Sequence, residues 1–374
     1  MGSTGKSEMK ISRPGLRPER LSNLMRAAVR RCRLDLSGMV VLTEAASDAW
    51  VVTPVLAALA GAKKVFAVAR PSSYGTIEEI ERETTGLARM AAVSERIEII
   101  SEKRSDIVGQ ADIVTNSGHV RPIDAGMVRC MKPTAVIPLM FEAWEFRSGD
   151  VDLEACRRLD IPVAGTNERH PAVDVFSYLG IMAVKMLLDA EIAVHGSRIL
   201  VWCDNLFRPF LVKGLTLAGA VVESVERLED GEEALGADAI LVALRPKAQP
   251  VVGRREAAVI GQGYPTAVVA QFWGDMDRGA LACQGVPFWP LEPPPPGHQG
   301  ILLSSLGPEP IIRLQSGGLK VGEVMARARI SQIGRPASRD AAIAAAVASG
   351  FGMALSIPVP RRTRAGHSQS GEDQ

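Results

Sequence analysis

The stretch from Asp160 to Val194 constrains the fold most, because it joins two series of alternating strand and helix patterns. It contains a short apolar strand from Ile161 to Gly165, then a polar cluster from Thr166 to His170, then a long apolar helix from Val173 to Ile192. Open α/β sheets bind small molecules in the crevice at the carboxyl ends of their strands, and the polar cluster lies at such an end. The sequence therefore predicts a hinge between two α/β lobes, with a ligand cleft beside it.

Composition excludes several classes of protein. The 374 residues suit two domains better than one core. With 43 basic and 42 acidic residues, the formal charge of +1 provides no field that would gather nucleic acid or an anionic membrane. Five scattered cysteines without a C-x-x-C pair argue against a disulfide framework and indicate a reducing compartment. The N-terminal text MGSTGKSEMK lacks the apolar core of a signal peptide, so we expect a cytoplasmic protein without nucleic-acid or membrane partners.

Strand patterns alternate with helix patterns on both sides of the hinge. Short apolar runs predict the strands, which are 39–43, 64–69, 97–100, 112–115, 134–140 and 161–165 in the first lobe and 198–202, 220–223, 239–244 and 267–271 in the second. This order is typical of a doubly wound parallel sheet in each lobe. Further on, Gly317 and Gly318 are predicted to break or kink the helix that starts near Pro308, and the Ala-rich helix from Ser338 to Leu355 is expected to be buried.

The first two strands and the turn between them have the order of a mononucleotide-binding βαβ unit. The turn from Thr43 to Asp48 lacks the glycines of a dinucleotide fingerprint, and Ala45 and Ala46 replace them only in part. Arg70 and Ser72 follow the second strand, where an NAD-binding lobe usually carries an acidic residue. They would suit the phosphate of NADP. The alternative is a polar loop that caps the next helix.

Two segments resemble the cofactor domains of adenosylhomocysteinases and D-2-hydroxyacid dehydrogenases. The first, from Asp112 to Pro138, reads DIVTNSGHVRPIDAGMVRCMKPTAVIP and is similar to their strand, polar turn and helix ending in Met-Lys. The second, from Glu191 to Gly219, is similar to their linker helix, strand and glycine motif. The resemblance implies an α/β fold of two doubly wound Rossmann-like domains joined by a long helix, with the C-terminal helix crossing back to the first domain. The predicted domains are 19–190, completed by 336–358, and 191–335, with disordered ends at 1–18 and 359–374.

The resemblance also implies positions for a cofactor and a substrate. The family's three glycines correspond to Cys203, Asn205 and Arg208, and Arg208 could meet an anion at the start of its helix. The family's hydroxyacid dehydrogenases use an Arg, a carboxylate and a His to hold a carboxylate substrate. Arg278 and His298 stand at approximately the Arg and His positions.

Three polar residues at predicted strand ends are candidate catalytic groups. His119 could serve as a general acid or base, or it could be a turn residue. Glu168 and His170 follow a neighbouring strand of the predicted sheet. No third ligand accompanies the two histidines at convincing spacing, so we predict no metal. The sequence also contains no G-x-S-x-G, P-loop or H-E-x-x-H motif.

These patterns predict an NAD(P)-dependent oxidoreductase-like protein that acts on a small polar metabolite in the interlobe cleft. The candidate catalytic residues are His119, Glu168 and His170, and the candidate cofactor-binding residues are Glu44, Ala46, Asp48, Arg70, Ser72, Asn116 and Arg208. Loss of the glycines favours an alternative, a non-catalytic ligand-binding or partner protein. A second alternative is an enzyme that binds an adenosyl compound such as S-adenosylmethionine. A homodimer is expected by analogy with other two-lobed α/β proteins.

Overall fold

Two parallel β-sheets, one in each lobe, organise the chain. The structure is a computed structural model and describes residues 13–71, 75–230, 236–330 and 337–355. The strands are β1 Val40–Glu44, β2 Lys64–Val68, β3 Ile97–Ile100, β4 Ile113–Val114, β5 Ile137–Pro138, β6 Val163–Thr166, β7 Arg198–Cys203, β8 Val221–Val225, β9 Ala239–Ala243, β10 Val268–Trp273, β11 Phe288–Trp289 and β12 Gly352–Met353. The α-helices are α1 Pro18–Cys32, α2 Val52–Leu59, α3 Ile77–Met90, α4 Ser105–Val108, α5 Ala125–Cys130, α6 Leu153–Arg158, α7 Leu179–Asp189, α8 Arg208–Leu217, α9 Arg254–Gly263, α10 Arg278–Cys283, α11 Pro308–Ile330 and α12 Arg339–Ala348.

The first sheet has the strand order β3-β2-β1-β4-β5-β6-β12. Its first four strands pair in parallel, and a parallel bridge between Ile113 and Val136 continues the sheet to β5 and β6. The short β12 pairs antiparallel with β6 at the edge. The strand order reverses between β1 and β4, which is where sheets of this kind open a crevice for ligands.

The second sheet has the order β11-β10-β9-β7-β8, and all of its pairs are parallel. Here the order reverses between β7 and β9. The linker helix α7 packs on α8 with almost no space between them, because a Cβ atom on Gly214 would lie 2.4 Å from the Cα atom of Gly180. The predicted fold of two Rossmann-like sheets joined by a helix is confirmed.

Of the predicted break or kink at Gly317 and Gly318, the break was wrong, because helix α11 runs without interruption for 23 residues. Both glycines allow close packing instead. A Cβ atom on Gly317 would lie 2.8 Å from Cγ2 of Val173, and one on Gly318 would lie 2.4 Å from Sδ of Met140. Tertiary packing of a buried helix outweighs the low helix propensity of glycine.

The chain crosses back to the first lobe with α11. Its apolar residues join the core that α1, α2 and β1 form, so the return begins at Pro308 and precedes the segment 336–358. Helix α12 then packs on α11 but leaves one face open, with Val347 44% exposed, so the expected full burial was wrong. The cause is that α11 and β12 cover only one side of α12. Among the described residues, no helix combines the length and apolar composition that a membrane span requires.

Candidate functional site

Three glutamates lie at the carboxyl ends of β5 and β6. Glu142 and Glu145 belong to the turn that follows β5, and Glu168 follows β6. Glu142 is fully buried and Glu168 is 8% exposed. Nε1 of Trp144 donates a hydrogen bond to Glu142, and Nε of Arg169 donates another at 3.3 Å. The adjacency of β5 and β6 in the sheet thus brings three carboxyl groups into one acidic cluster, Glu142, Glu145 and Glu168.

Burial controls the protonation of this cluster. Glu145 and Glu168 share a side-chain hydrogen bond. Burial and the nearby charge of Glu142 raise the pKa of Glu145 to about 7. Burial, with the charges of Glu145 and Glu142, raises the pKa of Glu168 well above its ordinary value. The pair therefore holds a proton near neutral pH and can exchange it, which is the property of a general acid or base.

An aromatic contact between the lobes adjoins the acidic cluster. The ring centroid of Trp144 lies 5.0 Å from that of Trp273 and 5.8 Å from that of Phe207, both in the second lobe. Trp144 lies between Glu142 and Glu145 in the chain, so the contact places the acidic cluster at the interlobe boundary. The sequence predicted a ligand cleft at this boundary, and the cleft stays a prediction.

The two predicted catalytic histidines have separate surroundings. Nδ1 of His119 lies 2.9 Å from the carbonyl oxygen of Ala45, so Nδ1 carries a proton and donates it, because a carbonyl oxygen only accepts. The ring of His170 stacks on Phe351 at 3.8 Å, and its Nδ1 accepts a hydrogen bond from the amide of Ala172. Burial lowers the pKa of His170. Of the three predicted catalytic residues, Glu168 belongs to the acidic cluster, and the catalytic role of all three stays a prediction.

Several of the predicted cofactor-binding residues lie at the carboxyl ends of β1 and β4. Glu44 is 7% exposed and its Oε2 accepts a hydrogen bond from the amide of His119 at 3.1 Å. Burial raises the pKa of Glu44. Oδ1 of Asn116 accepts from the amide of Met140, and its Nδ2 is buried without a partner in the described part of the chain. A carboxyl group at the end of β1 is unsuited to a pyrophosphate, because both are acidic.

The other described first-lobe residues of the prediction follow β1 and β2. Ala46 is on the turn after β1, and Asp48 forms an ion pair with Arg13 at 2.8 Å. Arg70 follows β2, and its charge, together with burial as the larger cause, lowers the pKa of Lys103. Ser72 lies outside the described residues. The cofactor role of these residues stays a prediction.

The second-lobe turn after β7 is held by its own side chains. Nδ2 of Asn205 donates to the carbonyl of Ala243 at 2.6 Å, across the point where the strand order reverses. Nε of Arg208 donates to the carbonyl of Cys203 at 3.1 Å, and its Nη2 lies 2.9 Å from Oε1 of Glu226. Glu226 was not among the residues predicted from the sequence. The signal that could have found it is an acidic residue directly after the second strand of the lobe. Dinucleotide-binding lobes carry at this position the carboxylate that binds the ribose hydroxyls.

A cavity of about 240 Å³ lies in the second lobe under the Pro-rich segment. Lys247, Asp275 and Arg278 line it. Nη2 of Arg278 donates to Oε1 of Gln271 at 2.7 Å, while His298 contacts carbonyl oxygens of the Pro-rich segment itself. Trp273 connects the cavity to the interlobe contact, because its Nε1 donates to the carbonyl of Gly297 next to the cavity wall. Among the described residues, no group of three His, Cys, Asp or Glu side chains could hold a metal ion.

Comparison with known proteins identifies the fold. No protein-family model and no curated protein matches the chain. The A chain of dipicolinate synthase from Bacillus subtilis is 11% identical and has a TM-score of 0.51, over 79% of this chain and 99% of that one. The corresponding dipicolinate synthase chain from Bacillus halodurans is 12% identical with a TM-score of 0.50, over 75% and 96%. An NAD-dependent formate dehydrogenase from Staphylococcus aureus in complex with NAD is 12% identical with a TM-score of 0.42, over 77% and 94%. At these identities the likeness to the two dipicolinate synthase chains establishes the fold alone, and the chain has the two-lobed Rossmann architecture that the resemblance predicted.

Proposed function

We propose that the chain is an NAD(P)-linked oxidoreductase that acts on a small polar metabolite between its lobes. The observation that supports this most is the hydrogen-bonded pair Glu145 and Glu168 at the interlobe boundary. When a hydride moves between a cofactor and an alcohol or carbonyl group, a proton must leave or reach the substrate oxygen. A carboxyl group whose pKa is about 7 can give or take that proton at neutral pH.

The other residues of the cleft would fix this pair and the substrate. Trp144 and Arg169 hold Glu142 in place, and the charge of Glu142 keeps a proton on its neighbours. In the second lobe, Lys247 and Arg278 offer two cations to a carboxylate. We therefore expect a substrate that carries a carboxylate together with an alcohol or carbonyl group.

The second-lobe turn fits a nicotinamide dinucleotide better than the first-lobe turn does. Arg208 supplies positive charge in the first turn of α8, and Glu226 stands where a carboxylate can accept hydrogen bonds from ribose hydroxyls. The bound cofactor would supply or accept the hydride. Glu226 favours NAD, because a carboxylate repels the additional phosphate of NADP. Binding of NADP through Arg70 and Ser72 is the alternative.

Thermal stabilisation by ligands tests this proposal. A ligand that binds only the folded state raises the unfolding midpoint, so we expect NAD(H) to raise it by about 1–2 °C for each 1 kcal/mol of stability that binding adds. NADP(H), S-adenosylmethionine and S-adenosylhomocysteine are the comparison ligands, and Arg70→Ala is the matched variant. A shift with NADP(H) that disappears in Arg70→Ala would move the cofactor to the first lobe. The absence of a shift with any nicotinamide cofactor would contradict the oxidoreductase proposal.

A second function, ligand binding without catalysis, is favoured by the closed turn after β7. Asn205 and Arg208 both bond to backbone carbonyls there, so these two side chains are not offered to a pyrophosphate in this conformation. The same thermal assay separates the two functions. A small carboxylate that stabilises the protein when no dinucleotide does would favour a binding protein. Light scattering would test the homodimer that we expect for either function.

A further inference from the structure

Arg208 occupies the position that a dinucleotide-binding turn gives to its third glycine. The side chain folds back over the turn, where Nε donates to the carbonyl of Cys203 and Nη2 pairs with Glu226. Glu226 is fixed at the end of β8, since Nε1 of Trp202 donates to its backbone carbonyl at 3.2 Å. One guanidinium thus spans the turn after β7 and the end of β8. In a Rossmann-like lobe these two places contact the pyrophosphate and the ribose.

The ion pair between Arg208 and Glu226 is weak. The side chain of Glu226 is 70% exposed and that of Arg208 is 28% exposed, so water and salt screen their attraction. A ligand anion at the start of α8 would meet the guanidinium with help from the helix dipole and could bind it through two parallel hydrogen bonds. Nε and Nη2 of Arg208 also donate to the carbonyl of Cys203, so a ligand that leaves this anchor in place and binds the remaining N–H groups displaces only an exposed carboxylate. The pair therefore lowers the affinity of the site without abolishing it.

We propose that Arg208 exchanges partners, pairing with Glu226 in the free protein and with the pyrophosphate of a bound dinucleotide. This inference rests on the proposed function, because it concerns the same nucleotide site. It makes Glu226 a competitor for Arg208, so that removal of the carboxylate charge tightens dinucleotide binding. It also makes Arg208 a contributor to binding, so that its removal weakens binding.

Calorimetric titration of the full chain with NAD⁺ and NADP⁺ tests the exchange. Glu226→Gln keeps a hydrogen-bond acceptor for a ribose hydroxyl but removes the competing charge. We expect it to tighten binding of both dinucleotides by about fivefold at low salt and by less at high salt. Arg208→Ala should weaken binding and cancel the gain when combined with Glu226→Gln. Asp230→Asn is the matched control, since it breaks the exposed ion pair of Asp230 with Arg227 in the same lobe and should leave affinity unchanged.

Two further comparisons distinguish partner exchange from simple repulsion and from obstruction. Adenosine has no phosphate, so Glu226→Gln should not tighten its binding. A gain for NADP⁺ alone would show simple repulsion of the additional phosphate and would overturn the exchange. Tighter binding by Arg208→Ala would also overturn it, because Arg208 would then be only an obstruction.

The titration distinguishes failure of the exchange from failure of the proposed function. If the unaltered chain binds a dinucleotide and Glu226→Gln brings no gain, the exchange is wrong and the function stands. If neither the unaltered chain nor any variant binds a dinucleotide, breaking the ion pair does not produce a binding site. The proposed exchange and the proposed nicotinamide cofactor are then both wrong. Thermal melting of each variant shows whether a loss of binding comes from unfolding.

Discussion

Glu145 shows how burial changes the chemistry of a single side chain. An exposed glutamate titrates near 4.5, but Glu145 has a pKa of about 7 in the folded chain. The folded state therefore binds more protons than the unfolded state between these pH values, and linkage makes stability fall as pH rises through that window. Above about pH 7 this contribution no longer changes.

The Glu145→Gln variant should flatten this pH dependence. The glutamine side chain is neutral at every pH and can still share a hydrogen bond with Glu168, so the loss of stability between pH 5 and pH 8 should shrink. Urea unfolding at both pH values measures it. Glu154→Gln is a suitable control, because Glu154 is exposed and its pKa is lowered by Arg157. An equal slope in Glu145→Gln and the unaltered chain would contradict the raised pKa.

Sequence reasoning located some site residues but not their partners. Glu168 was predictable because it follows a strand pattern. Arg208 was predictable because it stands at the position of the third glycine of the motif. Glu142 and Glu145 closely follow the predicted strand 134–140 but were not predicted as site residues, because their grouping with Glu168 depends on the adjacency of β5 and β6. Side-chain direction across strands is a tertiary property, which periodicity along one segment does not determine.

At the level of elements, the contact of α7 with α8 depends on two glycines. In Gly214→Ala the new Cβ atom would overlap the backbone of Gly180, and relief requires the helices to separate. We expect a loss of about 1–3 kcal/mol in the free energy of unfolding. Gly86→Ala on α3 is the matched control, since nothing lies within 4 Å of its Cβ position. It should stabilise the chain by up to about 1 kcal/mol, as alanine favours a helix.

Comparable urea unfolding curves for the two variants would contradict the close packing of α7 and α8.

The need for close packing also explains why Gly317 and Gly318 do not break α11 as predicted. A Gly-Gly pair in a sequence weakens a helix by propensity, and the pattern alone does not reveal that neighbours approach too closely for a side chain. Strand positions were predictable because they depend on local runs of apolar residues. The two-residue strands β11 and β12 were missed, since so short a run has no periodicity.

At the level of the whole molecule, Trp144 connects the two lobes. Each aromatic pair contributes about 0.5–1.5 kcal/mol beyond the area that it buries. Trp144→Ala removes both contacts with the second lobe, and we expect a more open particle with a larger radius of gyration. Small-angle X-ray scattering measures this. Trp144→Phe is the control, because it retains a ring at the interface but loses the donor to Glu142. An unchanged radius in Trp144→Ala would show that other contacts hold the lobes together.

The position of α11 in the first-lobe core affects the order in which the chain becomes structured during synthesis. The strands of the second sheet span 198–289, whereas the core of the first lobe requires Ile312, Leu319 and Met325 from a later helix. Every strand of the second sheet therefore leaves the ribosome before α11, the helix that completes the core of the first lobe. Until α11 emerges, the nascent first lobe exposes Ile113, Met140 and Val173, which contact the glycine face of α11 in the folded chain. During translation the second sheet can therefore assemble before the core of the first lobe is complete.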